Sequence, residues 1–186
     1  MLRVTIFFGL IAGSFAYYTL LDGHCPKLFS KEPHEADKVP GDYYLIKRNV
    51  ENWNNHGKCL RLHFDPPVDG EVRCRTTSVS TKTNETSVLE SKVTIDKNYI
   101  VHFRHKLPIW GDYDEYQVVL KSDYVNYTIA VGCRNFGHKH IENAYVFSRY
   151  KDFCDDDFVD RVFDSYGIDY PNWVRIDQEN CDDCIA

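Results

Sequence analysis

The 186-residue chain has one methionine, three tryptophans and no run of basic residues. Its 28 Asp and Glu outweigh 22 Lys and Arg, giving a formal charge of −6. An acidic chain without a cationic stripe offers little to phosphate backbones or anionic membranes, so nucleic acid and lipid surfaces are excluded as expected partners. After residue 16 no apolar stretch is long enough to span a bilayer. There is no HExxH, no glycine-rich nucleotide loop and no Ser–His–Asp order, so the chemistries those patterns serve lack their residues. Low-complexity segments and solenoid-length repeats are also absent.

What is present begins with a secretory layout. Arg3 precedes an apolar run from Val4 to Ala12, and Ser14-Phe15-Ala16 places small residues at −3 and −1 of a cut. The expectation is a signal peptide over 1–16, a mature chain from Tyr17 to Ala186 forming one domain, and an extracellular protein. All seven cysteines lie in that mature part, which reads as a disulfide framework with one thiol left over. Asn84 and Asn126 head Asn-x-Thr sequons and are expected to carry glycan. Cys181-Asp-Asp-Cys184 has redox or metal spacing but no strand before it and no helix after it, so neither role is assigned.

The 13 Tyr and 11 Phe favour half-buried pleated surfaces. Strands are expected over 43–48, 58–64, 71–80, 87–95, 99–104, 116–121, 127–133 and 141–147, with turn chemistry between them. Asp155-Asp156-Asp157 then supplies an N-cap and a negative first turn. Phe158, Val159, Val162, Phe163 and Tyr166 form a helical stripe that Gly167 stops. The aspartates are read as helix chemistry, and no metal is assigned. The fold class is all-β: an eight-stranded antiparallel up-and-down barrel followed by one α-helix.

Three motifs lie on this frame. Gly41-Asp42-Tyr43-Tyr44 opens the first strand, Ser122-Asp123-Tyr124-Val125-Asn126-Tyr127 leads on to Cys133, and Phe147-Ser148-Arg149 closes the eighth strand. In this order they resemble the signatures of the lipocalins, with Tyr43 standing where that family has Trp. Gly57-Lys58-Cys59 and the Cys181 tail are similar to the branch holding apolipoprotein D and the arthropod bilin-binding lipocalins. The resemblance implies disulfides Cys25–Cys133 and Cys59–Cys181. Cys74 is then expected near Cys59 across a hairpin, in reach of Cys184, with Cys154 free.

The resemblance implies a carrier of one small hydrophobic ligand: fatty acid, sterol, retinoid or a biliverdin-like tetrapyrrole, none of them a required cofactor. Period two puts Leu60, Leu62 and Phe64 on the inner face, because Cys59 must point away from it. Tyr99, Val101 and Phe103, then Tyr116, Val118 and Leu120, are expected to line the cavity with them. The loops at 49–57, 81–86, 106–115 and 135–140 gather at one end. Trp53, His56, Trp110, Tyr113, His138 and His140 would form the rim there, Trp110 and His140 touching the ligand. Two alternatives stand beside the carrier: a lipid isomerase of the prostaglandin type using a strand thiol, and a barrel acting only through protein contacts. A cell-surface receptor is a candidate partner that the sequence does not name.

Overall fold

The computed structural model describes residues 20–27, 29–49, 57–107, 111–153, 155–168 and 173–181. The segment 1–16, Tyr17, Trp53, His56, Trp110, Cys154 and Cys184 lie outside these residues. A two-residue strand β1 (Leu21–Asp22) and a 3-10 turn (Ala36–Lys38) come first. Then follow β2 (Gly41–Arg48), β3 (Gly57–Phe64), β4 (Val72–Ser80), β5 (Thr86–Ile95), β6 (Ile100–Leu107), β7 (Gly111–Ser122), β8 (Tyr127–Phe136) and β9 (Lys139–Ser148). Each pairs antiparallel with the next, and β9 returns to β2, so these eight strands close a barrel. Closure leaves the sheet without open edges along most of its length.

The helix α1 (Asp156–Ser165) begins where the capping residues put it. The Asp155 carboxylate accepts from Phe158 N at 3.0 Å, and Gly167 ends the helix at φ +67° with its N–H on the Asp164 carbonyl. Asp156 pairs with Lys47 on β2, so this first-turn carboxylate ties the helix to the barrel.

Two apolar cores result, one inside the barrel and one outside it. The inner core gathers Tyr43, Leu45, Leu62, Phe64, Val101 and Phe103, among others. The outer core packs Val159, Val162 and Phe163 of α1 on Ile46, Val118, Leu120, Ile129, Val131 and Val146. Strands under the helix are therefore apolar on both faces, and alternation no longer tells inside from outside. Two bulges add to this. Register slips between Leu45 and Lys47 on β2 and between Val119 and Lys121 on β7.

β7 is longer than the sequence reading of 116–121, and residues 111–115, expected in a loop, are strand. The acidic tips explain the miss: Asp114 lies outside, 3.0 Å from Arg104, while Tyr113 and Glu115 alternate with it on the inner face.

The C-terminal segment takes part in the wall. β2 pairs with β3 only through Gly41–Tyr44, and above that point β10 (Val174–Arg175) pairs with Lys47 and Arg48 instead. The Gln178 amide donates to the Leu45 and Leu60 carbonyls at 2.9 and 3.2 Å, joining the two parted strands. Cys59 N donates to the Asp177 carbonyl, and the Cys59–Cys181 disulfide fastens the end. The other disulfide joins Cys25 to Cys133 on β8.

The expectation for Cys74 is overturned. It opposes Phe64 on β3, not Cys59, and its free thiol lies in the inner core. Cys59 packs with Val79 and Cys181 in a separate cluster at the tail.

Candidate functional site

The floor of the barrel is built by the three sequence motifs together. Gly41 has φ +108°, and a Cβ there would lie 2.9 Å from Arg149 Nη1, so glycine is required on both counts. The Arg149 guanidinium stacks 3.8 Å over the Tyr43 ring. It also donates to the carbonyls of Asp42, Lys38, Val39 and Tyr124 at 3.1–3.3 Å. Asp123 accepts from the N–H groups of Val125, Asn126 and Tyr127, which fixes the turn that presents Tyr124. The Tyr124 hydroxyl accepts from Glu35 N at 2.8 Å and lies 3.2 Å from His34 Nδ1, holding the 3-10 turn under the barrel. Burial pushes the Tyr43 hydroxyl above the usual tyrosine range, against the pull of Arg149.

Above this floor is a cavity of about 60 Å³. Its wall includes Leu62, Phe64, Val101, Phe103, Val119 and Phe147, with His34 and Val39 below and Gln117 and Thr128 as polar members. Its surface is therefore almost wholly apolar.

A polar cluster occupies the barrel interior next to Gln117 and Phe103. Glu115 Oε1 accepts from Gln117 Nε2 at 2.8 Å and from the Tyr145 hydroxyl at 3.1 Å. Burial, with Glu115 beside it, pushes the Tyr145 hydroxyl far above its ordinary range, so it stays a donor. His105 Nδ1 lies 2.7 Å from Ser91 Oγ, and its Nε2 faces Glu115 Oε2 at 3.7 Å. Phe103 and Tyr113 stack on the two sides of the His105 ring, with centroids 5.7 and 4.5 Å away.

No protein-family model matches the sequence, and no curated protein matches it either. Solved structures do. Insecticyanin from the tobacco hornworm Manduca sexta superposes with a TM-score of 0.73 at 19% identity, covering 88% of this chain and 91% of that one. H1 crustacyanin from the lobster Homarus americanus gives 0.70 at 15%, over 87% and 91%. The tryptamine complex of the amine-binding protein of Rhodnius prolixus gives 0.66 at 13%, over 82% and 86%.

The fold is that of the lipocalins. Within the lipocalin barrel, the residues expected at the ligand divide into three groups. Leu62, Phe64, Val101 and Phe103 line the cavity, and Leu60 lies in the inner core beside it. Val118 and Leu120 face the other way, into the layer under α1, and Val119 takes the inner position between them. Tyr99 sits in the turn before β6 at φ +61° and is 41% exposed, and Tyr116 packs edge-on against His102 outside the barrel. Neither reaches the cavity.

His140 is also displaced from its expected role. Its ring lies 3.1 Å from the Gly23 carbonyl and 3.0 Å from Glu142, where it pins the N-terminal strand to β9. With Cys133 these two residues form a group of metal-ligand type, but the Cys133 sulfur is committed to Cys25, which leaves two ligands. Of the expected rim, Tyr113 lies on β7 against His105, and His138 is exposed in the turn after β8.

Sequence reasoning missed His34, Val39, Tyr43, Gln117, Val119 and Phe147 at the cavity, and the whole Glu115 cluster. One signal was available for the cluster. Gly132 lies in mid-strand on β8, with no positive φ to require it, where glycine marks a close approach.

Proposed function

We propose that the protein is a secreted carrier that holds one small hydrophobic molecule in the cavity above the Arg149 floor. The observation that carries this reading is the apolar cavity inside a closed barrel, at the place where eight strands leave room for one ligand. A volume of about 60 Å³ corresponds to roughly four to six waters. Pockets for drug-sized ligands run from about 300 to 1,000 Å³. The size therefore favours a small ligand over a tetrapyrrole such as biliverdin, a sterol or a retinoid.

The two disulfides fit secretion, and none of the described helices is long and apolar enough to cross a membrane. The isomerase alternative loses its nucleophile twice over. Cys59 is disulfide-bonded, and burial pushes the Cys74 thiol up to about 12, so it stays protonated at neutral pH.

The test separates the two apolar layers. Leu62→Asp places a carboxylate in the cavity, Val118→Asp places one under α1, and Arg73→Asp changes the exposed outer face of β4. Titrated with 2-phenylethanol in a calorimeter, Leu62→Asp is expected to lose at least about tenfold in affinity, because a buried unpaired carboxylate removes the apolar contacts. Val118→Asp should melt lower but bind like the parent, and Arg73→Asp should do neither. Parent-like binding by folded Leu62→Asp would sink the cavity assignment.

Glycan is proposed at Asn84, which lies exposed in the turn between β4 and β5. Asn126 is exposed too, but its side-chain amide is held by Asp123. Treatment of the secreted protein with an amidase specific for N-glycans should lower its mass, and Asn84→Gln should remove most of that change. An unaltered mass would rule out glycan at both positions.

A further inference from the structure

Resting on the carrier reading, we infer that the ligand is a small amine, recognised in its protonated form by the Glu115 carboxylate. The carboxylate is the acidic group of the interior cluster, and its side chain is only 13% exposed. A charge taken out of water is costly unless something meets it. Among the described residues its one ion-pair contact is the 3.7 Å approach of His105, too long for a hydrogen bond. Oε1 accepts two hydrogen bonds, while Oε2 accepts none among the described residues. His105 Nε2 is likewise buried without a hydrogen-bond partner, and it points at the same oxygen. The two atoms therefore converge on one position, beside the cavity residues Gln117 and Phe103.

The surroundings are shaped around that carboxylate. A Cβ added at Gly132 would lie 2.7 Å from Glu115 Oε1, 3.1 Å from Tyr145 Cε2 and 3.4 Å from Gln117 Cγ. Gly132 has an ordinary strand conformation, so its lack of a side chain serves space and not backbone freedom. It lets Glu115 reach across β8 from β7 to the Tyr145 hydroxyl on β9. Phe103, His105 and Tyr113 present a run of stacked rings on the adjoining strands, and ring faces favour a cation. With the His105 proton on Nδ1, donated to Ser91 Oγ, Nε2 is an acceptor, and an ammonium group, which donates and does not accept, suits that nitrogen and the carboxylate together. The apolar body of the molecule would extend into the cavity between Phe64, Val101 and Phe147.

Arg48 lies opposite Tyr145 on the neighbouring strand, and the Arg134 guanidinium lies over the Tyr113 and Phe136 rings. They make an anion the natural competitor, so the test sets cation, neutral molecule and anion side by side.

The intact protein is titrated calorimetrically at pH 7 with 2-phenylethylamine, 2-phenylethanol and 3-phenylpropionate, which share one apolar body. The amine should bind about ten- to a hundredfold more tightly than the alcohol, the range expected for a charge-assisted hydrogen bond in a desolvated site. Glu115→Gln should remove that advantage and leave the alcohol unchanged. Gly132→Ala, which keeps the carboxylate but pushes it aside, should do the same in part. If the alcohol or the carboxylate binds the parent as tightly as the amine, or if Glu115→Gln keeps the preference, the amine assignment is wrong and the carrier reading stands. If none of the three binds, both fall. Because the ligand series is measured on the parent, a variant that fails to fold does not decide the outcome.

Discussion

Reduction is expected to lower the melting temperature by about 4–20 °C for each bridge lost. The two disulfides span 108 and 122 residues. In the chain-entropy account a loop of about 100 residues is worth about 4.7 kcal/mol, with measured native bridges at about 2–5. For a chain of this length each kcal/mol moves the midpoint by about 2–4 °C. The two bridges should not be equal. Cys25–Cys133 holds a segment that otherwise touches the barrel through β1 and a few polar contacts, such as Cys25 N on the Asn135 side chain. Cys59–Cys181 holds the strand that fills the gap between β2 and β3. Replacing Cys59 and Cys181 together by Ala should therefore cost more than replacing Cys25 and Cys133. Thermal melts of the two double variants, beside the parent with and without reductant, measure this. A non-reducing peptide map with Cys25 or Cys59 as free thiols would remove its basis, and an unchanged melt after full reduction would contradict it.

Arg149→Ala should destabilise the protein by about 3 kcal/mol or more, since each charge-assisted hydrogen bond contributes about 1.5–3 kcal/mol. The guanidinium holds four backbone carbonyls from three separate segments, and it covers the Tyr43 ring. Some of those carbonyls regain water in the variant, which keeps the loss below the sum of the bonds. Arg149→Lys should recover little, because an ammonium on a flexible stem cannot span donors set in a fork. Urea unfolding of the three proteins gives the comparison. Equal midpoints for Lys and Arg would show that charge alone, and not the planar fork, closes the floor. Tyr43→Trp offers a larger ring to the same guanidinium, but Phe64 packs edge-on against Tyr43 at 5.8 Å and would have to move.

The strands, the helix and the floor were legible because local chemistry and global fold agree there. Leu62 and Phe64 alternate with Arg61 and His63, so their face follows from period two. Asp155 and Gly167 bracket a stripe that α1 buries as the spacing predicts. Four of the expected residues line the cavity, and on β7 the failure has one cause. Val118, Val119 and Leu120 are all apolar because α1 covers the outside of β7, so nothing in that run distinguishes the face toward the ligand from the face toward the helix. The bulges between Leu45 and Lys47 and between Val119 and Lys121 shift parity on two of the strands that α1 packs on, and no residue type announces them. The Glu115 cluster was hidden differently. Its strand start alternates two aspartates with Tyr113 and Glu115, a pattern of the kind expected of a solvated loop. Only the pairing with β6 turns Glu115 inward.

The tail at the β2–β3 gap has a consequence for the order of events during synthesis. All eight strands of the barrel have been synthesised once Ser148 is made, yet the wall still lacks the piece that bridges Leu45 and Leu60. At about 5–20 residues per second, further seconds pass before Gln178 is made. In a barrel without that tail, the β3-facing edge of β2 at Lys47 and Arg48 is the natural docking point for a foreign strand. A premature stop between Ser148 and Val174 would leave the polypeptide in that condition permanently, with every motif of its floor intact.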